Sequence, residues 1–194
     1  MVDRRARLIE AAGELFIERA YDEVTTTEIA KRAGVAYGLI AHHFENKRGL
    51  YLATIRAAAD RLREVRDAPV EGETPEEQLR NGIRRHIEFI EANSDGFLAI
   101  VRGGLGSDAE VREIVEGSRW EGAQRILGAL SIGEPVPPLL RATMRAWVGY
   151  LDELILDRLA HEDVPVERLV ESAAATLIAA LGVAGVTTEV RSLP

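Results

Sequence analysis

The sequence predicts an all-α fold, with an N-terminal three-helix helix-turn-helix domain followed by a C-terminal helical bundle domain. Apolar residues recur at helical spacing in most segments, and no segment alternates apolar and polar residues as a half-buried strand would. Residue types that start or stop helices separate these segments. With 194 residues, of which 46% are hydrophobic, the chain can bury a sizeable core.

The first helix is predicted over residues 3–20, where four apolar residues share one face: Leu8, Ala12, Leu15 and Phe16. Three arginines, Arg4, Arg5 and Arg7, stand in or before its first turn. They form either a solvated terminus or, in a DNA-binding protein, a contact with the DNA backbone.

Residues 25–44 predict two short helices joined by a tight turn. Thr25 and Glu28 have the spacing of a capping box, which satisfies backbone amides at a helix start. Gly34 can adopt the positive φ that stops a helix. The second helix is predicted near residues 36–44. A pair of this kind forms a helix-turn-helix, whose second helix normally lies in the major groove of DNA.

The net charge of −8 comes from 32 acidic and 24 basic residues and by itself argues against a nucleic-acid partner. Residues 1–48, however, hold eight residues of each sign, so the whole net charge lies in residues 49–194. Because phosphate binding depends on the local face, this distribution permits DNA binding by the N-terminal part.

The rest of the chain predicts a series of longer helices. Residues 47–66 carry a sustained apolar stripe, and residues 67–73 predict a linker with Pro and Gly. Further helices are predicted from residue 75 to a break at 93–96, then over 97–102, from 107 to about 130, and over about 138–160 and 165–185. Gly103 to Gly106 ends the short 97–102 helix, and Ser107 with Glu110 predicts the next helix start.

Residues 8–55 resemble the DNA-binding domain of the TetR family of transcriptional regulators. The matching segments are LIEAAGELFIERAYDEVTTTEIAKRAGV, then AHHF, then NKRGLYLA, at mutually consistent spacings. The resemblance covers about the first quarter of the chain. It implies that three N-terminal helices bind double-stranded operator DNA, and that a C-terminal helical domain dimerises and holds a small-molecule effector.

By this resemblance, the DNA-contacting residues fall into three groups. The residues expected to contact phosphates are Thr25, Thr26 and Thr27. Those expected to face base edges are Ala36, Tyr37, Gly38 and Leu39. Those expected to contact the DNA backbone or the groove rim are His42, His43 and Lys47. The family often has Tyr at the position of Ala41 and a small polar residue at the position of Leu39, so this sequence departs from the family at both positions. Readout is then expected to depend on Tyr37, His42 and DNA shape. Helix geometry alone places Tyr37 near the core edge, so packing on the turn is the alternative.

The last two helices are apolar around much of their circumference. They form either the core of the domain or a four-helix bundle with a second copy of the chain, and a homodimer would space two recognition helices for consecutive major-groove faces. An apolar or aromatic effector is expected between helices of the C-terminal domain. The candidate wall residues, each of which could instead be core packing, are His86, Phe89, Phe97, Trp120, Trp147 and Tyr150.

Several classes of site are not expected. There is no cysteine, and His42, His43 and Glu45 make a poor metal ligand set. Gly103 to Gly106 lacks the lysine of a phosphate loop, and no catalytic constellation is present. We therefore expect neither an enzyme nor a cofactor. No signal peptide or bilayer-spanning run is visible, so the predicted location is the cytoplasm.

The predicted function is a ligand-responsive transcriptional regulator, most simply a repressor, that binds a palindromic operator as a homodimer. Residues 1–48 are expected to read DNA, and residues 49–194 to bind the effector and dimerise, with the helix at about 47–66 joining them. The alternative is a helical small-molecule-binding or protein-interaction module whose DNA-binding head is no longer functional. The acidic total charge and Ala41 are what favour that alternative.

Overall fold

The computed structural model describes residues 3–95, 97 and 108–186, and within them all regular structure is helical. The predicted all-α fold is therefore confirmed. The α-helices are α1 Arg4–Glu18, α2 Thr26–Ala33, α3 Gly38–Phe44, α4 Lys47–Asp67, α5 Pro75–Ala92, α6 Ala109–Ala129, α7 Pro138–His161 and α8 Val166–Val183, with a 3₁₀ turn at Tyr21–Glu23.

The helix boundaries lie within about two residues of the prediction; α1, predicted over 3–20, ends at Glu18, and α8, predicted to about 185, ends at Val183. α3 begins at Gly38, two residues later than predicted, because Tyr37 occupies its N-cap position. The predicted break at 93–96 is shorter, since Ser94 and Asp95 are helical. Apart from Phe97, which is helical, the predicted 97–102 helix, the Gly103 to Gly106 break and the Ser107 cap lie outside the described residues.

The described residues belong to two compact units. The first contains residues 3–61, 93–95, 97 and 108–116, and the second contains residues 62–92 and 117–186. α4 contributes its first fifteen residues to the first unit, and α6 is likewise divided between the two.

The core of the first unit is built where α1 to α4 and the start of α6 meet. Leu8, Ile29 and Leu50 are fully buried there, and Val111 of α6 joins the same cluster. An aromatic group closes one side, with the Phe16 ring 4.9 Å from that of Tyr51 and 5.6 Å from that of Tyr21, measured between ring centroids. This packing holds the two short helices of the helix-turn-helix, which could not stand alone.

Two glycines shape the connections around the helix-turn-helix. Gly34 ends α2 with φ 62°, and the next amide, of Val35, donates to the Ala30 carbonyl at 3.1 Å. Gly49 lies in the first turn of α4, where a Cβ would stand 2.1 Å from the carbonyl oxygen of Phe44. Gly49 therefore allows the end of α3 to pack directly against α4.

In the second unit, α5, α7 and α8 pack through Ile, Leu and Ala side chains. Trp147 of α7 is buried, and its Nε1 donates to the Ala173 carbonyl of α8 at 2.9 Å. Arg80 and Arg84 of α5 pair with carboxylates of α8. No described helix is both long enough and apolar enough to cross a bilayer.

Candidate nucleic-acid interface

The N-terminus of α2 is closed by the predicted capping box. The Thr25 hydroxyl accepts from the Glu28 amide at 3.2 Å and donates to Glu28 Oε2 at 2.7 Å, while the Thr25 amide donates to the same oxygen at 2.9 Å. Both the hydroxyl and the backbone amide of Thr25 are thus hydrogen-bonded to Glu28. The backbone amides of Thr26 and Thr27 are the first-turn donors that remain for a phosphate.

This capping box makes fold stability depend on pH. The two hydrogen bonds from Thr25, followed by Arg19 at 3.0 Å, lower the pKa of Glu28 from 4.5 to about 2. Because the pKa is lower in the folded state, the stabilisation is complete above about pH 4.5 and is lost as the pH falls towards 2. We expect Glu28→Gln to melt below the wild type at pH 7 and to converge with it near pH 2, as measured by thermal unfolding. A constant difference across this range would contradict the assignment.

The start of α3 presents most of the predicted base-facing group to solvent. Tyr37 is 60% exposed, and Ala36 and Gly38 are exposed beside it. Leu39 is half-buried and packs partly against the core of the first unit. The Thr26 hydroxyl lies 3.4 Å from the Tyr37 hydroxyl, so the predicted phosphate-contacting and base-contacting elements lie side by side.

The remaining predicted contact residues lie at the end of α3 and the start of α4. His42 and His43 are exposed, with ring centroids 4.8 Å apart. Lys47 is half-buried, because its Nζ donates to the Tyr21 carbonyl and lies 4.2 Å from the centroid of the Tyr21 ring. Among the described residues, no group of three His, Asp or Glu side chains could hold a metal ion. All ten contact assignments remain predictions.

Several basic side chains of the first unit already have acidic partners. Arg32 binds Glu18 through two hydrogen bonds at 2.9 and 3.1 Å, which lower the pKa of that carboxyl. Arg48 binds Asp108 through two hydrogen bonds of 2.9 Å, and the pKa of Asp108 falls to about 2 as a result. Of the three arginines predicted at the N-terminus, Arg5 lies 5.3 Å from the Phe44 ring centroid, and Arg7 donates to the Gly34 carbonyl at 3.4 Å.

The six predicted effector-wall residues are divided between the two units. Phe97 belongs to the first unit, whereas the other five belong to the second. There, Trp147 is buried core with its N–H satisfied, and the Tyr150 hydroxyl hydrogen-bonds Ser172 at 2.7 Å. Phe89 and Trp120 are half-buried, and His86 has a buried Nδ1 with no hydrogen-bond partner.

Sequence reasoning missed Arg66, which lies near enough to His86 to lower the pKa of its ring. Its guanidinium is half-buried and donates to Ser118 of α6. One feature of the sequence could have indicated Arg66. It follows Leu62 by four residues, so it places a cation on the helix face that carries the apolar stripe of α4.

Two protein-family models match the chain. The model described as bacterial regulatory proteins of the tetR family matches residues 8–54, the region that forms α1 to the start of α4. The model described as a tetracyclin repressor-like C-terminal domain matches residues 75–180, more than half of the chain.

Curated relatives match mainly through the N-terminal region. The transcriptional activator FasR of Mycolicibacterium smegmatis is 36% identical over 99 residues, 50% of this chain and 45% of that protein. The transcriptional regulator BetI of Escherichia coli is 43% identical over 62 residues, 32% of each chain. The chain thus spans less than half the length of these relatives.

Solved structures extend the similarity along the chain. A tetR-family transcriptional regulator from Streptomyces coelicolor is 29% identical with a TM-score of 0.79, covering 95% of this chain and 84% of that one. Bacillus subtilis FadR, solved with stearoyl-CoA, has a TM-score of 0.65 over 90% of this chain and 98% of that one, and at 20% identity it shares the fold alone. The chain therefore belongs to the TetR family of DNA-binding transcriptional regulators, which are not enzymes, as the helix-turn-helix at residues 25–44 predicted.

Proposed function

We propose that this regulator is a repressor that binds a palindromic operator as a homodimer and releases it when an effector binds. Residues 1–48 read the DNA, and residues 49–194 bind the effector and dimerise, in the cytoplasm where the DNA lies. The observation that most supports the DNA-reading part is the exposed surface at the start of α3. There a bulky tyrosine is 60% exposed beside a helix N-terminus with unused amides.

In this proposal α3 lies in the major groove. Tyr37 and His42 approach base edges, and Gly38 lets the α3 backbone come close to the bases. The amides of Thr26 and Thr27 bind a flanking phosphate, while Thr25 fixes the helix end through Glu28. Leu39, which packs partly inward, provides at most an apolar contact to a thymine methyl group.

The homodimer is supported by the outward face of α8. Ala175, Ala179, Gly182 and Val183 follow one another at helical spacing and are exposed, and Val183 is 85% exposed. Leu139 at the start of α7 is 62% exposed. Small and apolar residues on one face allow a second α8 to approach closely, so the two copies would pair α7 and α8 as a four-helix bundle.

The effector site lies in the second unit, where Phe89 and Trp120 supply apolar surface. An effector can shift DNA affinity only through different affinities for two conformations of the protein. α4 connects the DNA-reading residues with the second unit, and it is therefore the proposed route of coupling.

Two substitutions separate base readout from phosphate contact. We expect Tyr37→Ala to weaken operator binding about tenfold or more and to relax specificity. Lys47→Ala should weaken binding to all duplexes alike and should lower the slope of log affinity against log salt by about one unit. Both are measured by fluorescence anisotropy at several salt concentrations. If Lys47 only ties α4 to the Tyr21 carbonyl, Lys47→Ala will lower the melting temperature and leave the salt slope unchanged.

Selection of bound sequences from random duplexes tests the whole proposal. A homodimer should return two inverted half-sites about one helical turn apart, with two chains per duplex in light scattering. Failure to enrich any sequence, or enrichment of a single half-site with one chain bound, would overturn it.

A further inference from the structure

Arg66 places a half-buried cation inside the second unit. Its Nη1 donates to the Ser118 carbonyl at 2.7 Å, its Nη2 donates to Ser118 Oγ at 2.7 Å, and its Nε donates to the Leu62 carbonyl at 3.3 Å. Three of the five guanidinium N–H groups are thus used, all on uncharged oxygens of the described chain. Burial lowers the pKa of Arg66, which indicates that its charge is poorly solvated.

The carboxylates around Arg66 are paired with other arginines. Arg125 Nη1 lies 2.8 Å from Asp67, Arg63 Nε lies 2.9 Å from Glu121, and Arg119 Nη2 lies 2.8 Å from Asp152. Each of these three carboxylates therefore forms its ion pair with an arginine other than Arg66. Among the described residues no carboxylate hydrogen-bonds to Arg66, although Glu121, Asp67 and Asp152 lie near enough to oppose the lowering of its pKa by burial.

His86 of α5 faces the same region. Its Nδ1 is buried and has no hydrogen-bond partner in the described chain, an arrangement that is rare for a buried polar atom. Burial, and then the positive charge of Arg66, lower the pKa of His86 to about 4, so its ring is neutral near pH 7. The neutral ring can carry its proton on Nδ1 and donate it to an anion.

Gly122 of α6 makes room for the guanidinium. A Cβ at this position would lie 2.4 Å from Arg66 Nη1. α6 therefore provides both the Ser118 acceptors and, one turn later, the bare backbone against which the guanidinium lies. An alanine here would displace the guanidinium without removing its charge.

We propose that Arg66, Ser118 and His86 bind the carboxylate of the effector, which is an apolar or aromatic carboxylic acid rather than a neutral hydrophobic molecule. The carboxylate accepts from the two remaining N–H groups of Arg66, from the Ser118 hydroxyl and from His86 Nδ1–H, and it gives Arg66 a directly bound carboxylate. The apolar body of the acid lies against Phe89 and Trp120. This inference rests on the proposed effector function of the second unit.

The test uses matched pairs of acid and primary amide on the purified full-length protein. The probes are benzoate, 2-naphthoate, decanoate and palmitate, each compared with its amide by isothermal titration calorimetry and by thermal shift at pH 7. We expect at least one acid to bind about tenfold or more tightly than its amide, because charge-assisted hydrogen bonds are roughly twice as strong as neutral ones. No binding by any acid up to 1 mM, or equal binding of acid and amide, would overturn the proposal.

Substitutions test whether Arg66, Ser118 and His86 cause the preference for the acid over the amide. Arg66→Met should weaken binding of the preferred acid about 10- to 100-fold and should change amide binding less than about threefold. Arg125→Met, which removes a nearby arginine that pairs with Asp67, is the control and should leave acid binding within about threefold. If Arg66→Met does not fold, Gly122→Ala provides the same test, since it moves the guanidinium and should weaken acid binding selectively. Equal weakening of acid and amide would mean that Arg66 is only structural.

A separate measurement distinguishes failure of this inference from failure of the proposed function. Without any acid present, Arg66→Met should bind the selected operator within about threefold of the wild type. If the wild type prefers acids but binds no duplex, the proposed repressor function fails and the carboxylate site stands. If it binds the operator but prefers no acid, the carboxylate site fails alone.

Discussion

Replacement of Gly49 by alanine is expected to destabilise the first unit by about 3 kcal/mol or more. The added Cβ would stand 2.1 Å from the Phe44 carbonyl oxygen, a distance that requires the backbone to move. That oxygen already accepts from the Asn46 amide at 2.8 Å, while Asn46 Oδ1 accepts from the Gly49 amide at 2.9 Å. A shift of either partner would therefore disturb the whole connection between α3 and α4.

Urea and thermal unfolding, followed by circular dichroism, measure this effect. Gly13→Ala is the matched control, because a Cβ at Gly13 of α1 meets no atom within 4 Å. That exchange should stabilise the protein by up to about 1 kcal/mol, since alanine is the better helix former. The two Gly→Ala exchanges, both in the first unit, should thus change the free energy of unfolding in opposite directions. Equal stability of Gly49→Ala and the wild type would show that the α3–α4 contact relaxes freely.

The second large effect is expected at Gly38, where stability and DNA affinity should change in opposite directions. A Cβ at Gly38 meets nothing within 4 Å and Gly38 is exposed, so the free protein should accommodate a leucine, which should favour α3 by up to about 1 kcal/mol. In the proposed complex the same side chain would lie between the α3 backbone and the base edges. We expect Gly38→Leu to lower operator affinity at least about 100-fold while raising the melting temperature.

Anisotropy titration with the selected operator gives the affinity, and thermal unfolding gives the stability. Gly117→Leu is the control, because Gly117 of α6 is also exposed, with open space around a Cβ, and lies outside the proposed DNA surface. It should leave operator affinity within about threefold. If the Gly38→Leu protein is folded and binds the operator as well as the wild type, α3 does not lie in the major groove as proposed.

The helix-turn-helix was predictable because its signals are local. Thr25 and Glu28 stand three residues apart and form the expected capping box, and Gly34 takes the left-handed conformation that its position predicted. The start of α3 was placed two residues early, because no side-chain cap marks it and Tyr37 already has helical dihedral angles. Local rules therefore predicted the motif, and they placed the start of its second helix two residues too early.

The contacts that join distant segments could not be read from the sequence. Arg48 and Asp108 are 60 residues apart, and Arg66 meets Ser118 across 52 residues, so no spacing rule connects them. The roles of Gly49 and Gly122 depend on how closely the Phe44 backbone and the Arg66 guanidinium approach them, which only the packed structure reveals. His86 was named as a candidate on residue type, but its missing hydrogen-bond partner became visible only with its neighbours in place.

The neutralised arginines of the first unit bear on how the protein would search a genome. Arg19, Arg32 and Arg48 each hold a carboxylate within 3.0 Å. Few cations are then left to displace counterions from DNA of arbitrary sequence, and the acidic remainder of the chain adds repulsion. Such a protein would spend little time on unrelated sites, so few copies per cell would be needed to keep a cognate operator occupied.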